Sequence, residues 1–189
     1  MAEPQTTPPD LAPAWRPGDP RPDVVSMLRV DQAGEYGATR IYAGQLAVLG
    51  DRHKSSALIA GMAAQEQEHL SHFDALLAAR GIRPTVLQPF WAVAGHALGA
   101  ATALISPAAA MACTAAIEDE IDAHYSEQLA ELGDSDAPLS ASIGKFQADE
   151  RAHRDAAIEA GAESSIGYPL LYAAIRIGCR AAIELSKRI

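Results

Sequence analysis

One phrase occurs twice in this chain, with the same companion each time. Residues 66–69 read Glu-Gln-Glu-His and residues 150–153 read Glu-Arg-Ala-His, so both fit Glu-x-x-His. A further glutamate stands upstream of each copy at nearly the same distance, Glu35 ahead of Glu66 and Glu118 ahead of Glu150. Residues three apart share a face of an α-helix, so Glu66 with His69, and Glu150 with His153, can grip one ion from one side. A gap of about thirty residues is the length of a helix, a turn and part of a returning helix. Each half is therefore expected to fold as a helical hairpin that brings a lone Glu level with a Glu-x-x-His.

Two such hairpins converge in a four-helix bundle. Four carboxylates and two imidazoles in its core are the ligand set of ferritin-like di-iron and di-manganese proteins. A single Glu-x-x-His is weak evidence, and the matched duplication is what carries the reading. The acids also sit in apolar stretches such as Ala115-Ala116-Ile117-Glu118, where a carboxylate is costly unless paired or metal-bound. Oxygen and nitrogen donors without a thiolate suit iron or manganese better than a structural zinc. The expected metal ligands are Glu35, Glu66, His69, Glu118, Glu150 and His153. Glu66 and Glu150 are expected to bridge, and Glu35 and Glu118 to be terminal.

The rest of the chain fits an all-α fold: a ferritin-like four-helix bundle with two additional apolar helices. Alanine is abundant and β-branched runs are few. With 189 residues, 49% of them hydrophobic, the chain is long enough for one domain with a sizeable core. A formal net charge of −9 argues against nucleic acid as a partner. Cys113 and Cys179 sit in hydrophobic surroundings and read as reduced, buried thiols. Residues 1–22 are proline-rich and contain acids, which predicts a disordered arm ahead of a domain over 23–189; no secretory or mitochondrial leader pattern is visible. No Gly-x-Gly-x-x-Gly fingerprint of a dinucleotide-binding domain occurs.

Helix boundaries follow from caps and breakers. The first helix is expected to start after Asp23, as its N-cap, and to run to about Leu49, with Gly34, Gly37 and Gly44 serving close approach of a neighbour. The second runs from about Ser55 to Arg80, ahead of Gly81. From Thr85 to Ile117 there is no Asp, Glu, Lys or Arg, but Ser106-Pro107 interrupts the stretch. Its first part reads as a buried or membrane-dipping helix beginning near Pro89, not a span. A fourth helix is expected over Pro107–Leu132, a fifth between Asp136 and Gly161, and a sixth from about Ile166 to the end. In the sixth, Arg176, Arg180, Lys187 and Arg188 against Glu184 give a basic element in an acidic protein, which suits an anionic membrane. Its apolar stripe can equally be core packing.

Other polar residues have weaker assignments. Asp149 is read either as an acceptor for the free N–H of a ligand histidine or as a solvated acid. Tyr125 lies seven residues after Glu118 and can reach the metals or simply pack. His124 points elsewhere on the helix. His53, His72 and His96 read as surface or packing residues. Glu68, Glu120 and Asp122 read as solvated acids, with Glu120 near enough to Glu118 to be a reserve ligand.

Several phrases together resemble a known family. Arg29-Val-Asp-Gln-Ala-Gly-Glu-Tyr-Gly-Ala, Arg40-Ile-Tyr-Ala-Gly-Gln, Arg83-Pro-Thr-Val-Leu, Ala112-Cys-Thr-Ala-Ala-Ile-Glu and Gly178-Cys-Arg-Ala-Ala-Ile are similar to the demethoxyubiquinone hydroxylases, over about residues 23–189. The resemblance implies a di-iron monooxygenase that uses O₂ to place the C6 hydroxyl on a demethoxyubiquinol ring. It carries the six ligands over without departure, sets a His-Tyr pair of candidate catalytic residues on His124 and Tyr125, and implies two iron ions as cofactor. It further implies a polyprenyl quinol substrate, a peripheral membrane location through the third and sixth helices, and a possible complex with other proteins of the pathway. The N-terminus differs from the targeting sequence of mitochondrial members, so the expected location is the cytoplasmic face of a bacterial inner membrane. Two rival readings are an iron-storage or peroxide-detoxifying ferritin-like protein and a non-catalytic quinone-binding module.

Overall fold

The computed structural model describes residues 22–188. Within them run α1 (Val24–Leu49), α2 (Ser56–Arg80), α3 (Gln88–Ile105), α4 (Pro107–Leu132), α5 (Ala137–Glu159) and α6 (Tyr168–Arg188). A 3₁₀ turn occupies Ala162–Ser164, and no strand occurs among the described residues. Apart from Pro22, the arm expected over residues 1–22 lies outside the described residues.

Local chemistry sets the boundaries. Asp23 accepts from the Ser26 N–H at 3.1 Å, Ser106 from Ala109 N–H at 3.0 Å, and Asp136 from Leu139 N–H at 3.1 Å. Each satisfies a donor that the first helical turn leaves unpaired. Pro107 opens α4, where a missing N–H costs nothing. Gly81 ends α2 in the left-handed region at φ 66°. α6 begins two residues later than the sequence suggests, because the chain turns through Gly161 and Gly167, both at positive φ, around the 3₁₀ turn.

α1 packs on α2, and α4 on α5, as the two expected hairpins, while α3 and α6 lie against the α1 and α4 side of the bundle. The α1–α3 approach is very close. A Cβ at Gly99 would stand 2.0 Å from the Ile41 carbonyl oxygen, and one at Gly44 would stand 2.2 Å from that of His96. Gly44 thus serves the close packing expected of it. For Gly34 and Gly37 that expectation is corrected: a Cβ on either would meet nothing within 4 Å, because both border a cavity.

Three apolar clusters fill the interior. One gathers Leu28, Phe73, Tyr125, Leu132, Ile143 and Phe146; a second gathers Tyr42, Ile59, Met62, Met111, Ala112 and Ala115; a smaller third joins Ile41, Cys113, Ala116 and Ile117 to Ile175 of α6. Burying this much apolar surface, at about 25 cal/mol per Å², drives the hairpins together. α3 is not buried, as one reading of its sequence has it, since Val93 and Leu104 on it are 71% and 74% exposed. α6 likewise exposes Leu170 and Ile177, at 78% and 66%. Only Ile175 and Ser186 of α6 are buried, so its stripe is not mainly core packing. No helix among the described residues is long and apolar enough to cross a membrane.

The positive charge of α6 is also employed differently from expectation. Arg176 donates to Glu120 at 2.8 Å, Arg180 donates to Glu120 at 2.6 Å, and Arg176 reaches Asp119 as well. Lys187 pairs with Glu184. These arginines fasten α6 to α4 instead of standing free for an anionic surface. Glu120 is accordingly neither a solvated acid nor a reserve ligand: it is 6% exposed and turned toward α6.

Candidate metal centre

The sequence spacing places Glu35 on α1, Glu66 and His69 on α2, Glu118 on α4, and Glu150 and His153 on α5. All six side chains are buried. They form two groups of converging donors, Glu35–Glu66–His69–Glu150 and Glu66–Glu118–Glu150–His153, each with its donor atoms within 4.8 Å of one another. Glu66 and Glu150 belong to both groups; Glu35 and Glu118 belong to one each. His69 Nδ1 stands 3.1 Å from Glu150 Oε1 and 3.6 Å from Glu35 Oε2, and His153 Nδ1 stands 3.0 Å from Glu66 Oε1.

The electrostatics of the cluster are those of a site built for cations. Burial, with Glu66 and Glu150 alongside, pushes the Glu35 carboxyl well above its ordinary value, and burial with Glu150 and Glu66 does the same to Glu118. Burial alone would depress His69, but the carboxylates of Glu150, Glu35 and Glu66 override it and push the imidazole up to about 12. His153 rises to about 9 in the same way, against its own burial, through Glu150 and Glu66. Burial also opposes ionisation of Glu66, yet His153 and His69 hold it down to about 2. Eight buried donor atoms still lack a hydrogen-bond partner: both oxygens of Glu66 and of Glu150, one oxygen each of Glu35 and Glu118, and the Nδ1 atoms of His69 and His153. Buried polar atoms are rarely left so, and divalent ions between them would satisfy all eight. The donor set therefore fits a pair of transition-metal ions.

The surrounding residues repeat the duplication. Tyr125 donates its phenol hydrogen to Glu35, and Tyr42 donates its own to Glu118. Each tyrosine follows the glutamate of its own hairpin by seven residues and bonds the glutamate of the other. Burial, reinforced by those carboxylates, raises both phenols well above their ordinary value, so both remain donors. Tyr125 thus both packs and reaches the cluster. Tyr42 is absent from the sequence reading, although the same seven-residue offset marks it. The outward nitrogens of the imidazoles are held too: His69 Nε2 lies 3.2 Å from Asp149 Oδ2, and His153 Nε2 lies 3.0 Å from Gln65 Oε1. Nothing in the sequence reading singles out Gln65 either. His124 does not reach the six; it stands 3.5 Å from the buried Asp31 and 3.0 Å from Gln128. His72 packs on Phe73 and Phe146.

Beside the cluster lies an apolar cavity of about 490 Å³ between α1, α3, α4 and α6. Gly34, Gly37 and Ile117 line it on one side and Trp91, Gly178 and Cys179 on the other. The Trp91 indole donates to Ser186 at 3.1 Å, linking α3 to α6. Cys113 is buried and Cys179 half-buried, both free, and burial pushes both thiols up to about 12.

The family described as "Ubiquinone biosynthesis protein COQ7" matches residues 22–186. The chain is 51% identical over 175 residues to the 3-demethoxyubiquinol 3-hydroxylase of Rhodospirillum rubrum, covering 92% of this chain and 82% of that one. It is 46% identical over 173 residues to the mitochondrial NADPH-dependent 3-demethoxyubiquinone 3-hydroxylase of Homo sapiens, covering 89% and 79%. The mitochondrial 5-demethoxyubiquinone hydroxylase of Saccharomyces cerevisiae is 39% identical over 179 residues, covering 86% and 77%. With its duplicated hairpins, its buried cluster and these identities over most of its length, the chain belongs to the COQ7 family of ubiquinone biosynthesis proteins.

Proposed function

We propose that this chain is an O₂-dependent monooxygenase of ubiquinone biosynthesis, hydroxylating the ring of a demethoxyubiquinol with two iron ions as cofactor. The observation that carries the reading is adjacency. Gly34 and Ile117 line the apolar cavity, and the next residues, Glu35 and Glu118, belong to the carboxylate cluster. Glu35 and His69 would hold one ion, Glu118 and His153 the other, with Glu66 and Glu150 shared. Bound there, the irons supply the reduction of O₂ and the delivery of one of its atoms to carbon. Overall, a ring C–H becomes C–OH, the second oxygen atom leaves as water, and a pair of electrons and a pair of protons are consumed. The human relative's name specifies NADPH dependence, and we carry over a reduced pyridine nucleotide as the electron source.

The protein's own groups bind, orient and exclude. Tyr42 and Tyr125 fix the carboxylates of Glu118 and Glu35, while Gln65 and Asp149 fix the imidazole rings. The apolar cavity strips water from the quinol ring, and a polyprenyl tail would leave between α3 and α6. The exposed apolar side chains of those two helices favour a peripheral membrane position, on the cytoplasmic face of a bacterial inner membrane, and leave surface for a complex with other proteins of the pathway.

The test is iron content per chain in the purified protein, with Glu150→Ala alongside, followed by quinol hydroxylation under O₂. Near two irons in the parent, a sharp fall in the variant and hydroxylated product in the parent alone support the reading. Iron without hydroxylation, in a large soluble shell, would support storage instead. Quinone binding without iron, even after anaerobic Fe(II) loading, would leave a lipid-binding module. Flotation with anionic and neutral vesicles tests the membrane position, and no flotation with either would refute it.

A further inference from the structure

Several polar residues around the cluster have counterparts in the other hairpin, and at two places the correspondence breaks. Tyr42 corresponds to Tyr125 and Gln45 to Gln128, at the offset that also relates Glu35 to Glu118. Gln128 Nε2 donates to Asp31 Oδ1 at 2.6 Å, whereas Gln45 Nε2 reaches Thr114 Oγ1 at 3.3 Å. Asp31 and Thr114 are related by that same offset, so one hairpin has a buried acid where its counterpart has a hydroxyl. The second break is at the histidines. His69 meets the carboxylate of Asp149, and His153 meets the amide of Gln65, although Gln65 and Asp149 occupy matching positions immediately before Glu66 and Glu150.

Both breaks fall on the same side. Asp149 holds His69. Asp31 lies one helical turn before Glu35 and accepts from Gln128, while Tyr125 donates to Glu35. His124 stands 3.5 Å from Asp31; among the described residues no arginine or lysine pairs with Asp149, whose partner is His69. In both imidazoles Nδ1 faces the cluster and Nε2 faces outward. A carboxylate draws on an outward N–H more strongly than an amide does, which makes the inward nitrogen the better electron donor.

We propose that the two ion positions are unequal, with the position served by Glu35 and His69 binding a divalent transition-metal ion first and more tightly because Asp149 backs its histidine where Gln65 backs the other. This rests on the two-ion reading of the cluster. Asp149 and Gln65 are positioning residues, acting through the imidazoles. Gln65 is exposed and Asp149 half-buried at the outer side of the bundle, so isosteric exchange there leaves the core untouched.

The experiment is an anaerobic titration of the metal-depleted full-length chain with Co(II) alone, followed by calorimetry and by visible ligand-field absorption. Two binding events are expected, separated by roughly 10–100-fold in affinity, the range that such outer partners command. Asp149→Asn is expected to weaken the tighter event toward the other, and Gln65→Glu to tighten the weaker one. Glu35→Ala removes the tighter event and Glu118→Ala the weaker. Two equal events in the parent, or a separation unchanged in both Asp149→Asn and Gln65→Glu, would overturn the proposal and leave the two-ion reading standing. No Co(II) uptake at all would overturn that reading and the proposal with it.

Discussion

Gly99→Ala isolates the closest contact between the bundle and the wall of its cavity. The added methyl would start 2.0 Å from the Ile41 carbonyl oxygen and 2.8 Å from its carbon, both backbone atoms. Ordinary contact needs about 3.4 Å, so α3 must retreat from α1 by about 1.4 Å, since neither backbone can swing aside. Overpacking of this kind costs about 1–3 kcal/mol. Alanine recovers about 1 kcal/mol of helix propensity, leaving a net loss of about 0–2 kcal/mol. For a chain of this length that lowers Tm by up to about 8 °C. Gly61→Ala is the matched control: Gly61 is an exposed position inside α2, and a Cβ there meets nothing within 4 Å. Only the propensity gain remains, so Tm should rise by about 2–4 °C. Thermal unfolding followed by circular dichroism reads both. A Gly99→Ala protein that melts above the parent by as much as Gly61→Ala does would refute the argument that backbone contact sets the α1–α3 distance.

Tyr125→Phe and Tyr42→Phe each strand a buried carboxylate oxygen, on Glu35 and Glu118 respectively. Each should cost about 1–3 kcal/mol in denaturant unfolding of the metal-free chain, and a neutral outcome in both would show that the phenols only pack. Glu120→Ala leaves Arg176 and Arg180 without their shared acceptor; amide hydrogen exchange should accelerate across α6 and stay unchanged in α2, and uniform exchange would contradict the fastening role. Asp136 is held below its ordinary value chiefly by Arg80, at 2.6 Å, and it also caps α5. A lowered folded-state value means that its stabilisation is present above the unfolded value of 3.8 and fades as pH falls through the lower folded one. Asp136→Ala should therefore cost about 1 kcal/mol at neutral pH, and the difference from the parent should shrink on acidification; a constant difference from neutral to strongly acidic pH would argue against the linkage.

The ligand geometry was legible because its grammar is local. Three-residue spacing sets a face, a thirty-residue gap sets a hairpin, and two copies set a bundle, so the six residues meet where Glu-x-x-His and its upstream glutamate say they should. Caps at Asp23 and Asp136 were legible for the same reason, whereas Ser106 read only as a breaker and also caps α4. What escaped depends on distant partners. Nothing near Glu120 in sequence announces Arg176 and Arg180, so a buried and doubly paired acid looked solvated. The uncharged run before Ile105 cannot reveal that α3 meets the bundle along a narrow glycine edge and leaves its broader face open. Gly34 and Gly37 looked like packing residues because a missing side chain reads alike whether a helix or a void takes its place. Tyr42 was within reach: the offset that drew attention to Tyr125 recurs in the first hairpin.

The crossed tyrosines carry a consequence for how the molecule is made. Each hairpin furnishes the phenol that completes the opposite hairpin, and each histidine faces a glutamate of the other half. A ribosome that has released only the first hairpin has produced three donors of one group, one of the other, and the whole of neither. On the two-ion reading proposed above, capture of ions would have to wait for α5 to dock, because Glu150 belongs to both groups of donors. The interleaving acts as a checkpoint in biogenesis: the converging donors exist only in a chain whose two hairpins have come together.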